Sequence, residues 1–308
     1  MCDSNRTFHR LVLLLALLTL GNLPGGAQGR VECSTINSRI LKSSVRYCAF
    51  LPSGYDAPST QKGGPPRGGR SYPVLYYLHG LGDNERSLVN SGGFQLIQDL
   101  REQGKIGDFL IVTPEGGRTF YINSRDGRTP FSDFFLSEFI PYIEHHYRIR
   151  AQRSTRGIMG ISMGGYGALR FAFAFPRLFG SVSGQSAALM PESPKGLEVA
   201  MNSGIRQAGL LGDVFGNPID VAFWKLNSPF ALARKNAADI SKLRIYFDCG
   251  TEDEYGFDRG AVALHEELNK EKIKHEFHLY SGGHNLVLFL QHLGESVEFH
   301  SRVFEGAR

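Results

Sequence analysis

The stretch Arg156 to Pro176, RGIMGISMGGYGALRFAFAFP, constrains the fold more than any other part of the chain. The apolar run RGIMGI reads as a buried strand, and GGYGALRFAFAFP reads as a helix stopped at Pro176. Between them Gly160-Ile161-Ser162-Met163-Gly164 matches G-x-S-x-G in a strand-turn-helix setting. A turn that sharp needs glycines, because a Cβ would collide with neighbouring backbone, and it lifts the serine hydroxyl above the sheet at a helix N-terminus. Developing negative charge is favoured there. A phosphate-binding turn would need the lysine of a P-loop or G-x-G-x-x-G spacing, and this segment has neither.

The rest of the chain repeats the alternation. VLYYLHG and FLIVTPEGG are apolar runs separated by the helical segment FQLIQDLREQGKIG, and LRIYFDCG and HEFHLYSGG flank the helical AVALHEELNKEKI. FSDFFLSEFIPYIEHHYRI has helical spacing, with Ser132 or Asp133 able to cap its start and Pro141 marking a kink or restart. Strands alternating with helices predict an α/β fold with a mostly parallel central sheet and helices on both faces. The length of 308 residues with 42% hydrophobic side chains suits one large core. The expected organisation is a single domain over 30–308, in which about 187–238 is a cap-like insertion. Leu189, Met190, Leu210, Phe215, Phe223 and Trp224 are its candidate pocket walls, each read more simply as ordinary core. PSTQKGGPPRGGRSYP can bury almost nothing and reads as a surface loop.

Residues 1–29 have a different character. Arg6 and Arg10 precede LVLLLALLTL, and GNLPGGAQG follows with helix breakers and small residues, the layout of a secretory signal peptide. The apolar run would be roughly 15 Å long as a helix, half of a bilayer's hydrocarbon core, so no stable membrane insertion is expected after cleavage. The expected location is therefore secreted or periplasmic. An oxidising compartment favours disulfides, and Cys33 and Cys48 flank two short alternating strands, so these two are paired. Cys249 is left as a small buried strand residue. The formal charge of +4, without a Lys/Arg run, indicates no nucleic-acid partner. A small neutral or weakly acidic ligand fits better.

Serine alone is too weakly acidic to attack an ester; it needs a base within hydrogen-bond reach and an acid that orients the base. In this topology the chain order is Ser, Asp/Glu, His, each on a turn after a strand. His284 in YSGGHN is the histidine so placed near the C-terminus, while His275 and His278 fall within a strand-like stretch. For the acid, Asp248 lies too early, inside the strand's end; Glu252, Asp253 and Glu254 are candidates, with Asp253 favoured by its shorter side chain. The oxyanion donors are the backbone amides of Met163, after the nucleophile, and Leu81, in the His79-Gly80-Leu81-Gly82 loop. His79 precedes the serine and reads as a structural residue of that loop. No catalytic metal or cofactor is expected.

With these residues in view the chain resembles the esterase D-like branch of the α/β-hydrolases, which includes feruloyl and acetyl-xylan esterases, S-formylglutathione hydrolases and mycolyltransferases. The resemblance covers about Val45 to Phe304 and rests on LPSGYD, YPVLYYLHGLG, IVTPEGG, RGIMGISMGGYGALRFAFAFPRLF, DCGTED and YSGGHN. It implies an α/β-hydrolase fold, a triad of Ser162, Asp253 and His284, and an oxyanion hole of Leu81 and Met163. The mycolyltransferase branch places a glutamate about one position later, which makes Glu254 the second choice of acid. The implied activity is a secreted serine carboxylesterase, a carboxylic ester hydrolase working through an acyl-enzyme on a small-molecule or carbohydrate-linked ester substrate. The alternatives are an acyltransferase of the mycolyltransferase type and a non-catalytic binding protein on a hydrolase scaffold. Family members often carry an aromatic residue soon after the histidine, where this chain has Asn285-Leu286-Val287-Leu288-Phe289.

Overall fold

Every residue of VLYYL (β3, Val74–Leu78) and LIVTP (β4, Leu110–Pro114) is buried, the pattern of strands covered on both faces. The computed structural model describes residues 29–55, 70–190 and 210–307. The remaining strands are β1 (Arg30–Ser38), β2 (Ser43–Leu51), β5 (Arg156–Ile161), β6 (Ser181–Gln185), β7 (Arg244–Gly250) and β8 (Glu276–Tyr280). Together they form one eight-stranded sheet in the order β1-β2-β4-β3-β5-β6-β7-β8. From β4 to β8 all neighbours are parallel, and β2 and β1 add on as antiparallel strands. This is the expected α/β class.

Strand alternation splits the core into two layers. Val74, Tyr76 and Leu78 enter the larger cluster on one face, while Leu75 and Tyr77 enter the smaller one on the other. Among the described residues the α-helices are α1 (Ser87–Asn90), α2 (Gly93–Glu102), α3 (Phe131–Phe134), α4 (Ile140–His146), α5 (Met163–Ala174), α6 (Leu210–Phe215), α7 (Val221–Asn227), α8 (Pro229–Lys235), α9 (Ala237–Ile240), α10 (Phe257–Lys270) and α11 (Leu286–Glu305). Helix α5 covers the face of the larger cluster, and α2 and α11 cover the other.

Local readings differ from the structure at the helix cap and at β6, and one helix carries an interruption. The helix over FSDFFLSEFIPYIEHH is interrupted by a π-turn at Phe135–Phe139. Neither Ser132 nor Asp133 caps it: Pro130 occupies the cap position, and the Ser132 hydroxyl accepts from Arg170 Nη1 at 2.9 Å. Pro141 falls in the first turn of α4, where a missing N–H costs nothing, and so marks the restart expected of it. The strand β6, SVSGQ, lacks an apolar run and has no counterpart in the sequence reading.

Cys33 and Cys48 lie directly opposite each other in the β1–β2 register and form a disulfide. Cys249 is a buried free thiol. Residues 1–28, with the expected signal peptide, lie outside the described residues, as do 56–69 of the glycine-rich loop and 191–209 of the cap-like insertion. The Leu210 side chain is also outside them. Of the expected pocket walls, Leu189, Met190, Phe215 and Trp224 are buried in the larger core cluster, with Phe223 packed against it. They are core, as their simpler reading had it.

Candidate active site

Parallel strands deliver the loops after β3, β5, β7 and β8 to one edge of the sheet, the general address for chemistry in such folds. Ser162 follows β5 at φ 55°, ψ −117° and immediately precedes α5. A positive φ at a side-chain-bearing residue costs on the order of 1–3 kcal/mol and persists only when its surroundings over-determine it. Here they do: the Ser162 amide donates to Gln185 O at 2.9 Å, and the Ser162 carbonyl accepts from Tyr166 N and Ala188 N, each at 3.0 Å. The flanking glycines have no alternative, since a Cβ on Gly160 would overlap the Gly164 backbone and one on Gly164 would overlap the Leu78 carbonyl.

The loop after β8 brings His284 to this serine. Its Nε2 lies 2.9 Å from Ser162 Oγ and its Nδ1 2.7 Å from Asp253 Oδ2. The carboxylate accepts from Nδ1–H, which leaves the Nε2 lone pair free to accept the serine proton. Asp253 is buried, and its second oxygen accepts the amides of Tyr255 at 3.0 Å and Phe257 at 3.4 Å. Cys249 Sγ stands 3.6 Å from the same carboxylate, and burial pushes its thiol pKa up. That thiol is a packing neighbour of the acid.

Neighbouring carboxylates divide the work. Glu254 Oε2 accepts the backbone amide of His284 at 2.7 Å, and this bond is the first cause holding its carboxyl below the ordinary range. A Cβ on Gly283 would press against the Glu254 carboxylate. Asp253 therefore holds the imidazole and Glu254 holds the loop that carries it; the exposed Glu252 does neither. Tyr255, Phe257 and Phe289 surround the imidazole edge-on, with ring centroids 5.0, 5.4 and 5.1 Å away. Phe289 is the aromatic that the sequence lacks directly after the histidine: one turn into α11, the helix returns it to the ring.

The Leu81 and Met163 amides flank the serine from the loop after β3 and from the first turn of α5. Neither donates to a protein acceptor among the described residues, as is required of donors reserved for a substrate oxygen. His79 is fully buried. Its Nε2 accepts from Gly116 N at 2.9 Å and its Nδ1–H donates to Gly80 O at 2.8 Å. The Tyr121 hydroxyl donates to His79 O at 3.0 Å. His79 thus fixes the loop presenting Leu81.

A cavity of about 310 Å³ opens at Ser162 and His284 and runs between α1 and α11, lined by Tyr77, Ile161, Leu88, Phe289, Leu290 and Leu293 among others. These walls are spread over four elements, with no shared motif to announce them.

A second serine–histidine cluster lies deeper under α11. His300 places Nδ1 2.7 Å from Ser181 Oγ and Nε2 2.9 Å from Ser183 Oγ, and Ser296 Oγ donates to Ser183 Oγ at 2.7 Å. All four are buried.

The residues 38–300 match the family model described as "Putative esterase". The chain belongs to this esterase family. An esterase of Mycobacterium tuberculosis is 30% identical over 234 residues, 70% of this chain and 49% of that protein. This chain therefore spans about half the length of that relative. An acetyl esterase of Caldicellulosiruptor saccharolyticus is 25% identical over 273 residues, 86% of this chain and 96% of the relative. Among solved structures, a ferulic acid esterase superposes with a TM-score of 0.73 at 25% identity, covering 90% of this chain and 99% of that one. An S-formylglutathione hydrolase of Staphylococcus aureus, at 17% identity and a TM-score of 0.68, shares the α/β-hydrolase fold over 89% of this chain and 99% of its own.

Proposed function

We propose that this chain is a serine carboxylesterase in which Ser162 is the nucleophile, His284 the general base and Asp253 the residue that orients and stabilises the imidazole. The observation that carries this reading is the continuous hydrogen-bonded line from Asp253 through His284 to Ser162, ending on a strained elbow at the mouth of a cavity. The relatives' names, acetyl esterase and ferulic acid esterase, share only the carboxylic ester as their target. That shared bond is the substrate class proposed for this chain.

As the ester carbonyl enters, Ser162 Oγ attacks its carbon while His284 Nε2 takes the hydroxyl proton. Negative charge collects on the carbonyl oxygen, which the Leu81 and Met163 amides receive. Collapse breaks the bond to the leaving oxygen, and the imidazolium returns its proton there, releasing the alcohol. Water, deprotonated by His284, then resolves the acyl-enzyme. The buried Asp253 stabilises the imidazolium at each step. The cavity sits at the small end of the ~300–1,000 Å³ range of ligand pockets, which favours a short arm over a long lipid chain. Export is part of the proposal, supported by the Cys33–Cys48 disulfide.

Hydrolysis of p-nitrophenyl acetate by the wild type and by Ser162→Ala tests the assignment. A loss of about 10⁴-fold or more is expected; retention of activity by the variant would contradict it.

A further inference from the structure

The loop that presents Leu81 is tied down at its ends. Among the described residues, no hydrogen bond joins Leu81, Gly82, Asp83 or Asn84 to any residue outside 79–87. Their bonds close on the loop itself: Asp83 N donates to Gly80 O at 3.3 Å, and Ser87 N donates to Asn84 O at 3.1 Å. Leu81, Gly82 and Asp83 are exposed, so packing holds them little. Where the Leu81 amide points is therefore set by what holds His79 at one end and Glu85 at the other.

Both ends are held by one turn, the turn after β4. At the near end Gly116 N donates to His79 Nε2 at 2.9 Å. At the far end the buried Glu85 carboxylate accepts from Arg46 Nε at 3.0 Å, and Arg46 Nη2 donates to Glu115 Oε2 at 2.7 Å. Arg46 lies on β2 and Glu115 follows β4, and their backbones are joined as well, Glu115 N donating to Arg46 O at 2.8 Å. Glu115 Oε1 accepts from Gly117 N at 2.9 Å and lies 3.6 Å from His79 Nε2, beyond a direct bond. Glu115 and Gly116 are consecutive, so the bonds close a ring through Gly116, His79, the loop, Glu85, Arg46 and Glu115. A guanidinium suits this link, because its planar fork offers separate donors to two carboxylates. For the fold as a whole the ring matters little: Arg46 is 60% exposed, and ion pairs so placed contribute little to global stability. A donor aimed at a developing oxyanion is more sensitive, since a small misplacement lowers the rate steeply.

We propose that Arg46 and Glu115 are positioning residues of the oxyanion hole: they brace Glu85, the far end of the loop, against the turn that holds His79, and so aim the Leu81 amide. The proposal rests on the reading of Ser162 as the nucleophile and Leu81 as an oxyanion donor. Neither Arg46 nor Glu115 touches the ester. When the brace is removed, His79 and the buried Leu88 of α1 stay in place, so the loop loosens without being lost. The expected effect is about tenfold, below the roughly 10²–10³-fold that follows outright removal of an oxyanion donor.

The test uses Arg46→Met, and Glu115→Gln in case the first variant folds poorly. With p-nitrophenyl acetate, kcat/KM should fall about tenfold in Arg46→Met and less in Glu115→Gln, which keeps the Arg46–Glu85 bond, while the melting temperature stays nearly unchanged. A matched pair of inhibitors isolates the oxyanion. Trifluoromethyl butyl ketone accepts Ser162 Oγ at its carbonyl carbon, the proton passing to His284 and the carbonyl electron pair to an alkoxide in the hole; methyl butyl ketone binds without that charge. Affinity for the first should fall by the same factor as kcat/KM, with affinity for the second unchanged. Unaltered kcat/KM in both folded variants, or equal losses for the two ketones, overturns the proposal.

Amide hydrogen exchange separates this outcome from failure of the catalytic reading, because it needs no turnover. The amides of Asp83 and Ser87, which bond within the loop, should exchange faster in both variants, and equally so when Ser162→Ala is added. Unchanged exchange overturns the brace even if Ser162 proves to be the nucleophile. Activity retained by Ser162→Ala alone would remove the catalytic reading, and the exchange rates would still decide whether the brace holds the loop.

Discussion

Two serine–histidine clusters among the described residues differ in what surrounds the imidazole. At the sheet's edge, His284 has a serine on one nitrogen and a buried carboxylate on the other. Under α11, His300 has a serine on each nitrogen and no carboxylate bonded to it. Burial pushes the His300 pKa down to about 3, so its ring is too weak a base to take a serine proton. Ser181 and Ser183 lie within β6, with no elbow, and neither lines the cavity that opens at Ser162. A serine within reach of an imidazole is therefore not a catalytic signature by itself. What distinguishes the two clusters is the third group, which stabilises the charged ring, and the route by which an ester can arrive.

The comparison can be broken most directly at the histidines and their partners. His284→Ala and Asp253→Asn should each lower kcat by about 10⁴-fold, as removal of a triad member does elsewhere, with the melting temperature nearly unchanged. His300→Asn should do the opposite: it loses about 1–3 kcal/mol of stability from unpaired buried serines, while the turnover of the folded fraction stays close to wild type. Steady-state kinetics paired with denaturant unfolding reads both. A collapse of turnover in folded His300→Asn would reverse the assignment.

Smaller effects sharpen the division between the two carboxylates. Glu254→Ala removes the acceptor of the His284 amide and should cost roughly tenfold in kcat through misplacement of the ring, far less than Asp253→Asn. Equal losses at both positions would make Glu254 a member of the catalytic line.

Acid stability should also separate the histidines. His300 stays neutral in the folded protein down to about pH 3, while an unfolded histidine takes a proton near pH 6.5. Its contribution is full above the unfolded pKa and is lost as the pH falls from there towards the folded value. Unfolding across that window should take up about one proton at this site, and the corresponding slope should flatten in His300→Asn.

A pH effect of the opposite sign lies at Asp248. Burial pushes its carboxyl up to about 8, and its Oδ2 has no partner among the described residues. Folding therefore favours its protonated form; that contribution is full below the unfolded pKa near 4 and is lost as the pH rises through about 8. Asp248→Asn should raise the melting temperature at neutral pH and do so less at pH 4. A gain independent of pH would show that the carboxyl is not neutral in the fold.

The two clusters also show what a sequence can and cannot reveal. Ser162 was legible because the elbow imposes glycines within five residues, and Gly160 and Gly164 leave no room for anything else. Asp253 and His284 were legible because a parallel sheet puts the turns after β7 and β8 at the same edge. The Cys33–Cys48 pairing followed from strand alternation across a short hairpin. By contrast, the strand β6 was missed because Ser181 and Ser183 face His300 and Ser296, which replaces the apolar alternation of an ordinary strand by hydroxyls. That cluster joins positions more than a hundred residues apart, and no local pattern encodes it. The same holds for the cavity, whose walls come from β3, α1, β5 and α11.

The most direct measurement is covalent labelling of the native protein with a fluorophosphonate, followed by peptide mapping of the adduct. The account predicts a single phosphonylated residue, Ser162, with labelling abolished in Ser162→Ala and retained in His300→Asn. An adduct on Ser181 or Ser183, or undiminished labelling of Ser162→Ala, would contradict it.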